Sequence, residues 1–408
     1  MKILILSNIF PPGFIGGYEL GAFDIARALA KEGNIVHVIS SDYFNDPILD
    51  VDNLTIDRSF VCCSICHSPT DQSRSFVDLS YQHNIRVISS CIKWFKPELV
   101  LSFNLDGCGV LEIIQFIDKI KIPHIVYLMD NIFRSFRDEN FDIDRFGRFE
   151  LSSQTCFISM SKRLVREIEA TICHRILNLK ILPGWVESKF LRDKPLIVDR
   201  NYTNFVFSSR IAKHKGIDVV LDSASKLVKT GFDNFHIDIY GNGEIAELLY
   251  KINQNGLQRT IEFKGVLDKE AMIPALSQYD ALLFPTWDRE PFGFIAAEAA
   301  ASGALPIITA GTGASEYFLH GVDSIKISRN SDDLSSAMLY VMLLPSCQRM
   351  QLRQNAINTA KRFFNFDTIF EKLKSIIFDH TKKTRRDIDL RKINQLEASF
   401  IVLSYLPK

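Results

Sequence analysis

Ala281-Leu282-Leu283-Phe284-Pro285-Thr286-Trp287-Asp288-Arg289-Glu290-Pro291-Phe292-Gly293-Phe294-Ile295-Ala296-Ala297-Glu298-Ala299 passes from a short apolar run through a polar loop into an alanine-rich stretch. Residues 281–284 are too few for a helix and end at a proline, so they read as a buried strand. A helix is predicted from about Gly293, and the small residues Ala296, Ala297, Ala299, Ala300 and Ala301 let it pack closely on a sheet. Ligands of parallel sheets sit beyond the carboxyl ends of the strands, where helix starts expose N–H groups. Here Glu290 lies just before the helix and Glu298 one to two turns inside it. The first free N–H groups can bind a hydroxyl or a phosphate, while the two carboxylates accept hydrogen bonds from separate polyol groups.

The same strand, loop and helix order repeats outward in both directions. Strands are predicted at 3–7, 35–40, 99–103, 124–129 and 156–159, with helices at 19–31, 110–121 and 161–170, the last opened by Ser161 as N-cap. The pattern breaks over residues 187–204, which are charged and polar and contain Lys194-Pro195. It restarts with strands at 205–207, 236–240, 261–263, 281–284 and 306–309. The fold class is therefore α/β, with two Rossmann-like, doubly wound parallel-sheet domains facing each other across a cleft. The expected bounds are 1–190 and 200–375, leaving 376–408 as a tail that either is solvated, packs back on the first domain, or meets anionic lipid headgroups through Lys382, Lys383, Arg385, Arg386, Arg391 and Lys392.

Composition removes other classes. With 408 residues, 47% of them hydrophobic, the chain can bury large cores and is neither disordered nor a single small module. Forty-eight basic residues cancel forty-eight acidic ones, so no global field recruits nucleic acid, and any phosphate site must be local. Eight cysteines in so long a chain, with no charged and apolar leader, are expected to be reduced thiols in the cytoplasm. No apolar stretch reaches the roughly 20 residues needed to span a bilayer. Cys63-Ser64-Ile65-Cys66-His67 has the spacing of a c-type haem attachment site, but no second cysteine pair completes a metal site, and buried thiols on a strand are the expectation.

Three further strand ends carry candidate ligands. Gly16-Gly17 follows the first strand and precedes a helix, either as a turn or as a close approach to an anionic group. Arg210 and Lys215-Gly216 follow the strand at 205–207, where two fixed cations could hold a diphosphate beside a helix dipole, or merely be solvated. Gly241 and Gly243 end the strand at 236–240, with an ordinary turn as the alternative.

In combination these residues resemble the GT-B glycosyltransferases of the group 1 retaining family over about residues 1–375: Gly16-Gly17, Arg210 with Lys215-Gly216, Glu290 with Glu298, and further Leu182-Pro183-Gly184-Trp185-Val186 and Gly311-Thr312-Gly313 with Glu316. The resemblance implies a nucleotide-diphosphate sugar as co-substrate, bound mainly by the second domain. It implies that Arg210 and Lys215 neutralise the diphosphate, that Glu298 meets the ribose, and that Glu290 and the N–H groups of Phe292, Gly293 and Phe294 address the sugar. It implies a glycan or lipid-linked acceptor of the cell envelope or of a polysaccharide, and neither a cofactor nor an essential metal, since cations and a helix N-terminus supply the charge.

One position departs from the family. Where it often carries a histidine, the strand here reads Tyr127-Leu128-Met129-Asp130, and a thioether is a poor proton relay. Asp130 is the nearest polar candidate, with capping of the next loop as its alternative. The departure leaves a second hypothesis, a non-catalytic nucleotide-sugar-binding or scaffold protein of the same fold. A dinucleotide-dependent dehydrogenase is set aside because no Gly-x-Gly-x-x-Gly follows the first strand.

Overall fold

A computed structural model describes residues 1–13, 16–42, 51–63, 74–134, 154–198, 200–384 and 393–397. The chain divides into two units: Met1–Ser159, Leu164–Leu182 and Phe370–Lys408 form the first, and Met160–Arg163 with Pro183–Ile369 the second.

In the first unit, β1 (Lys2–Leu6), β2 (Ile35–Ser41), β3 (Leu54–Phe60), β4 (Leu99–Ser102), β5 (His124–Leu128), β6 (Cys156–Ser159) and β7 (Leu179–Ile181) pair in parallel in the order β3-β2-β1-β4-β5-β6-β7. The helices along this part of the chain are α1 (Gly17–Lys31), α2 (Arg74–Phe95), α3 (Val110–Ile120) and α4 (Lys162–Ile172). Central strands such as β1 are continuous apolar runs because a parallel sheet between helices is buried on both faces. The order reverses between β1 and β4, so the loops after those strands flank a switch point.

The second unit repeats the plan with β8 (Thr203–Ser208), β9 (Phe235–Tyr240), β10 (Ile261–Gly265), β11 (Ala281–Phe284), β12 (Leu305–Thr309) and β13 (Ile325–Ile327), parallel in the order β10-β9-β8-β11-β12-β13. Its helices are α5 (Ile217–Lys229), α6 (Ile245–Gln254), α7 (Lys269–Leu276), α8 (Phe294–Ser302), α9 (Ser331–Leu343) and α10 (Ser346–Phe363). Its switch point lies between β8 and β11. Helix α11 (Phe366–Thr384) follows and runs on into the first unit.

Three strands were absent from the sequence expectation: β3, β7 and β13. All lie at sheet edges, where one side is open and the apolar run shortens; β3 reads Leu-Thr-Ile-Asp-Arg-Ser-Phe, and β7 and β13 have three residues each. The change of unit also differs from the expected connection at 187–204, falling between Leu182 and Pro183. The cause is packing: Trp185 is fully buried with its ring 5.7 Å from Phe294, and the Val186 N–H donates to the Phe364 carbonyl at 2.7 Å. Of the Cys63–His67 pattern only Cys63 is described, as a buried thiol that burial pushes up; Cys66 and His67 lie outside the described residues.

The C-terminal residues contribute to the first unit's core. Lys374 pairs with Glu32 at 3.3 Å, Ile393 is fully buried in the cluster around α2 and α3, and the Glu397 carboxylate accepts from Ser89 at 2.7 Å and Lys93 at 3.1 Å. Residues 385–392 and 398–408, which hold most of the basic and apolar residues of the tail, lie outside the described residues.

His380 on α11 hydrogen-bonds the His124 backbone, and the His124 Nε2 meets the Ser102 hydroxyl at 2.8 Å. Burial first, and then the neighbouring His380, push His124 down to about 3. A histidine depressed below its unfolded value near 6.5 keeps its stabilising neutral form above that pH, and the contribution is lost as pH falls from about 6.5 toward 3. Comparing unfolding of the wild type with His124→Gln between pH 7 and 4.5, the wild type should lose stability more steeply, by up to about 1.4 kcal/mol per pH unit. Parallel curves would show that His124 does not titrate on unfolding.

Candidate active site

The loops around the second unit's switch point are joined backbone to backbone. Ser209 and Ile211 N–H donate to the carbonyls of Tyr240 (3.2 Å) and Asn242 (2.7 Å), and Glu244 N–H donates to Ile211 (3.0 Å). Gly241 and Gly243 have φ of +144° and +125°, and a Cβ on either would overlap the carbonyl oxygen of Ser209 or Ile211. These glycines are thus accounted for by the chain lying against them, which fixes the start of the loop that presents Arg210. That side chain is exposed.

Lys213–Lys215 form one 3-10 turn, and Gly216 (φ +87°) then caps α5 where a Cβ would overlap the Pro285 carbonyl. This close approach brings the β8 and β11 loops together. The Lys215 Nζ lies 2.6 Å from Glu290 Oε2, with side-chain exposures of 21% and 13%, and the Thr286 hydroxyl donates to the same oxygen at 3.1 Å. A half-shielded pair of this kind is stronger than one in open solvent, yet within reach of an incoming anion.

Gly293 turns the chain into α8 with φ +95°, and a Cβ there would lie 2.6 Å from the Phe284 ring. The Phe292 side chain is 1% exposed and packs edge-on against Phe294 at 5.5 Å and Phe364 at 5.6 Å, so what this residue can offer a ligand is its backbone. The loop after β12 closes the arrangement: Gly313 N–H donates to the Glu290 carbonyl at 3.0 Å and Ala314 N–H to Phe292 at 2.8 Å. Glu298 is buried on α8 among alanines that are themselves fully buried. Glu316 is engaged elsewhere in the unit, accepting from the backbone N–H groups of Lys162 (2.8 Å) and Arg163 (2.6 Å).

Two clusters escaped the sequence reading. The His214 ring sits 4.8 Å from the Trp287 indole, whose face also carries the Arg289 guanidinium at 5.2 Å. Trp287 and Arg289 stand between the strand and Glu290 in the stretch that decides the fold, and an indole in a strand-end loop was the available signal. Asp288, Thr309, Gly311, Ser328 and Arg329 line a pocket of about 390 Å³ beside them. Partial burial, then Lys215 and Arg210, lower the His214 pKa against the opposing effect of Glu290, with Arg329 also lowering it. Elsewhere, His236, Asp238 and Glu262 come together, but Lys264 already reaches Glu262 at 2.6 Å and Asp238 at 3.8 Å.

The first unit holds the remaining predicted residues. Gly16 N–H donates to Glu19 Oε2 at 2.9 Å; the backbone of Gly16 is extended (φ −164°) and a Cβ would meet nothing within 4 Å. Local sterics therefore do not demand glycine there. Gly17 opens α1 and is exposed. Asp130, just beyond β5, accepts from the Asn131 N–H at 2.7 Å and from Arg134 at 3.1 Å, so it does cap the following loop. Met129 is buried.

Comparison with known proteins accords with this architecture. A family model described as "Glycosyl transferases group 1" matches residues 189–363. An uncharacterized glycosyltransferase of Methanocaldococcus jannaschii is 20% identical over 383 residues, covering 89% of this chain and 93% of the relative. Among solved structures, sucrose-phosphate synthase from Thermosynechococcus elongatus superposes with a TM-score of 0.76 at 15% identity, covering 93% of this chain and 98% of that one. Anabaena HepE in complex with UDP gives 0.67 at 17% identity, and in complex with UDP-glucose 0.65 at 16%, each covering 93% of this chain and 100% of that one. Two parallel-sheet units on this plan are the GT-B fold. Fold, family match and relatives agree on a glycosyltransferase, and residues 189–363 are the part that matches the group 1 model.

Proposed function

We propose that the chain is a retaining glycosyltransferase that takes a sugar from a nucleotide-diphosphate sugar and transfers it to a glycan or lipid-linked acceptor. The observation that carries this reading is the Lys215–Glu290 pair at 2.6 Å on loops that also bear Arg210 and the start of α8. A diphosphate arriving there competes with Glu290 for the lysine. Lys215 and Arg210 then hold the diphosphate, and the released Glu290 carboxylate is left to accept from the hydroxyls of the sugar. HepE, solved with UDP and UDP-glucose, supports a nucleotide-sugar donor by likeness.

In the reaction, the bond from the anomeric carbon to the diphosphate oxygen breaks, and a bond to the acceptor hydroxyl oxygen forms on the same face. The acceptor's proton passes to the departing phosphate oxygen. Negative charge grows on the diphosphate as it leaves, and that is where two cations and helix-start N–H groups lower the barrier without a resident metal. We assign Glu298 to the ribose and the open Gly16-Gly17 loop to close approach by the donor. Asp130 is assigned to orienting a hydroxyl, beside its capping of Asn131. No helix among the described residues is long and apolar enough to cross a membrane, and we assign the enzyme to the cytoplasm, with Lys382 and Lys383 of the tail toward the inner membrane face.

Arg210→Ala and Lys215→Ala should each raise the barrier by about 2–4 kcal/mol, read as kcat/KM, with little change in unfolding temperature. Near-wild-type rates in both would remove this loop from the site.

Glu298→Ala should weaken free nucleoside diphosphate and complete donor alike, whereas Glu290→Ala should act mainly on the complete donor. Calorimetric titration of both ligands checks the division, and equal losses for the free diphosphate would contradict it.

Asp130→Asn keeps an oxygen for the Asn131 N–H and so should fold. It should nevertheless lower kcat, within the range of about 10²- to 10⁴-fold for general-base or positioning groups. Full activity would move acceptor handling to another part of the first unit.

A further inference from the structure

His214 lies inside the proposed donor site. It is the middle residue of the Lys213–Lys215 turn. Its carbonyl accepts from the Trp287 N–H at 3.0 Å and its ring packs on the indole at 4.8 Å, so backbone and side chain both tie the β8 loop to the β11 loop. The charges around the ring come from three loops. Arg210 and Lys215 share its own, Glu290 faces it from the β11 loop, on which Arg289 also lies over the Trp287 ring, and Arg329 comes from the loop after β13, where it also donates to the Lys213 carbonyl at 2.6 Å.

With no ligand, partial burial first, and then Lys215, Arg210 and Arg329 against the opposing Glu290, favour the neutral imidazole. A diphosphate entering between Arg210 and Lys215 reverses the sign of that field, because it adds two formal negative charges and draws Lys215 from Glu290. We propose that His214 takes up a proton when the donor binds, so that an imidazolium joins Arg210 and Lys215 around the diphosphate. This inference rests on the donor site proposed above and extends it from two fixed cations to a third that is formed on demand. The tilted contact with the indole holds the ring in place in both protonation states, and a cation near an indole ring is itself favourable.

The sign of the effect follows by linkage. Free His214 sits below the ordinary value of 6.5, and on the proposal bound His214 is raised above its free value. Between the two, donor affinity increases as pH falls, by at most about tenfold per pH unit for one proton. Above the bound value and below the free value this group contributes no pH dependence.

The test uses the full chain and a panel of UDP-, GDP- and ADP-sugars, from which the member giving the largest rise in unfolding temperature is chosen. A nucleotide sugar is preferred to a free diphosphate, whose terminal phosphate titrates near about 6 and would mask the effect. Calorimetric titration near pH 6.5 in two buffers of different ionisation enthalpy counts protons. Net proton uptake on donor binding is expected in the wild type and none in His214→Gln. Nuclear magnetic resonance of the wild type supplies a second reading, in which the histidine Cε1–H signal missing from His214→Gln should titrate at higher pH with donor than without. Binding without proton uptake, or with equal uptake in His214→Gln, would overturn the proposal and leave the donor site standing. Binding of no panel member would overturn the donor site, and the proposal with it.

Discussion

Four backbone oxygens, those of Pro285, Ser209, Ile211 and Pro291, stand where a Cβ of residues 216, 241, 243 and 313 would be. Each of those positions is glycine, and each marks a place where one strand-end loop of the second unit lies directly on another. Side chains hold a loop through rotatable bonds, whereas backbone in van der Waals contact leaves almost no slack. Loops without regular structure thereby acquire the rigidity that oriented electrostatics requires. Lys215 and Glu290 meet at 2.6 Å on segments brought together by the close approach of Gly216 to the Pro285 carbonyl.

Much of this was legible in the sequence. Central strands of a parallel sheet are buried on both sides, which writes them as apolar runs such as Ile3-Leu4-Ile5-Leu6. Edge strands obey weaker demands, so β3, with Asp57 and Arg58 in its middle, carries no comparable signature. Ionic partners at strand ends were legible as candidates because Lys215 and Glu290 follow strands directly, although that they face one another required the fold. The His214–Trp287 ring contact was hidden because its members are 73 positions apart and neither is unusual in its own loop. Gly241 and Gly243 stood between two readings, and only the position of the Ser209 and Ile211 carbonyls shows what the missing side chains make room for.

The overall charge of zero does not exclude a local cationic loop at Arg210, Lys213 and Lys215, and several other charges of the second unit are paired. Lys226 with Asp332, Lys251 with Asp218 and Lys361 with Asp193 are surface pairs that contribute little to stability, but they do cancel fields. An anion approaching this unit meets a local rather than a diffuse attraction. The first unit gives Asp130 a partner in Arg134, so that carboxylate also projects little long-range potential.

The polypeptide enters the second unit at Pro183 and leaves it after Ile369, and both of its ends belong to the first. Along the chain, residues 183–369, which contain the stretch matched by the group 1 model, are an insert within the first unit. Exchanging the second unit between relatives would therefore mean moving a cassette with two junctions, at 182/183 and 369/370, rather than fusing two halves. The other segment of the second unit lies outside that cassette: Met160–Arg163 has its backbone held by Glu316 and its Ser161 hydroxyl donating to the Pro291 carbonyl at 2.8 Å. A chimera cut only at the two junctions would keep these four residues from the wrong parent, against the loop that begins α8.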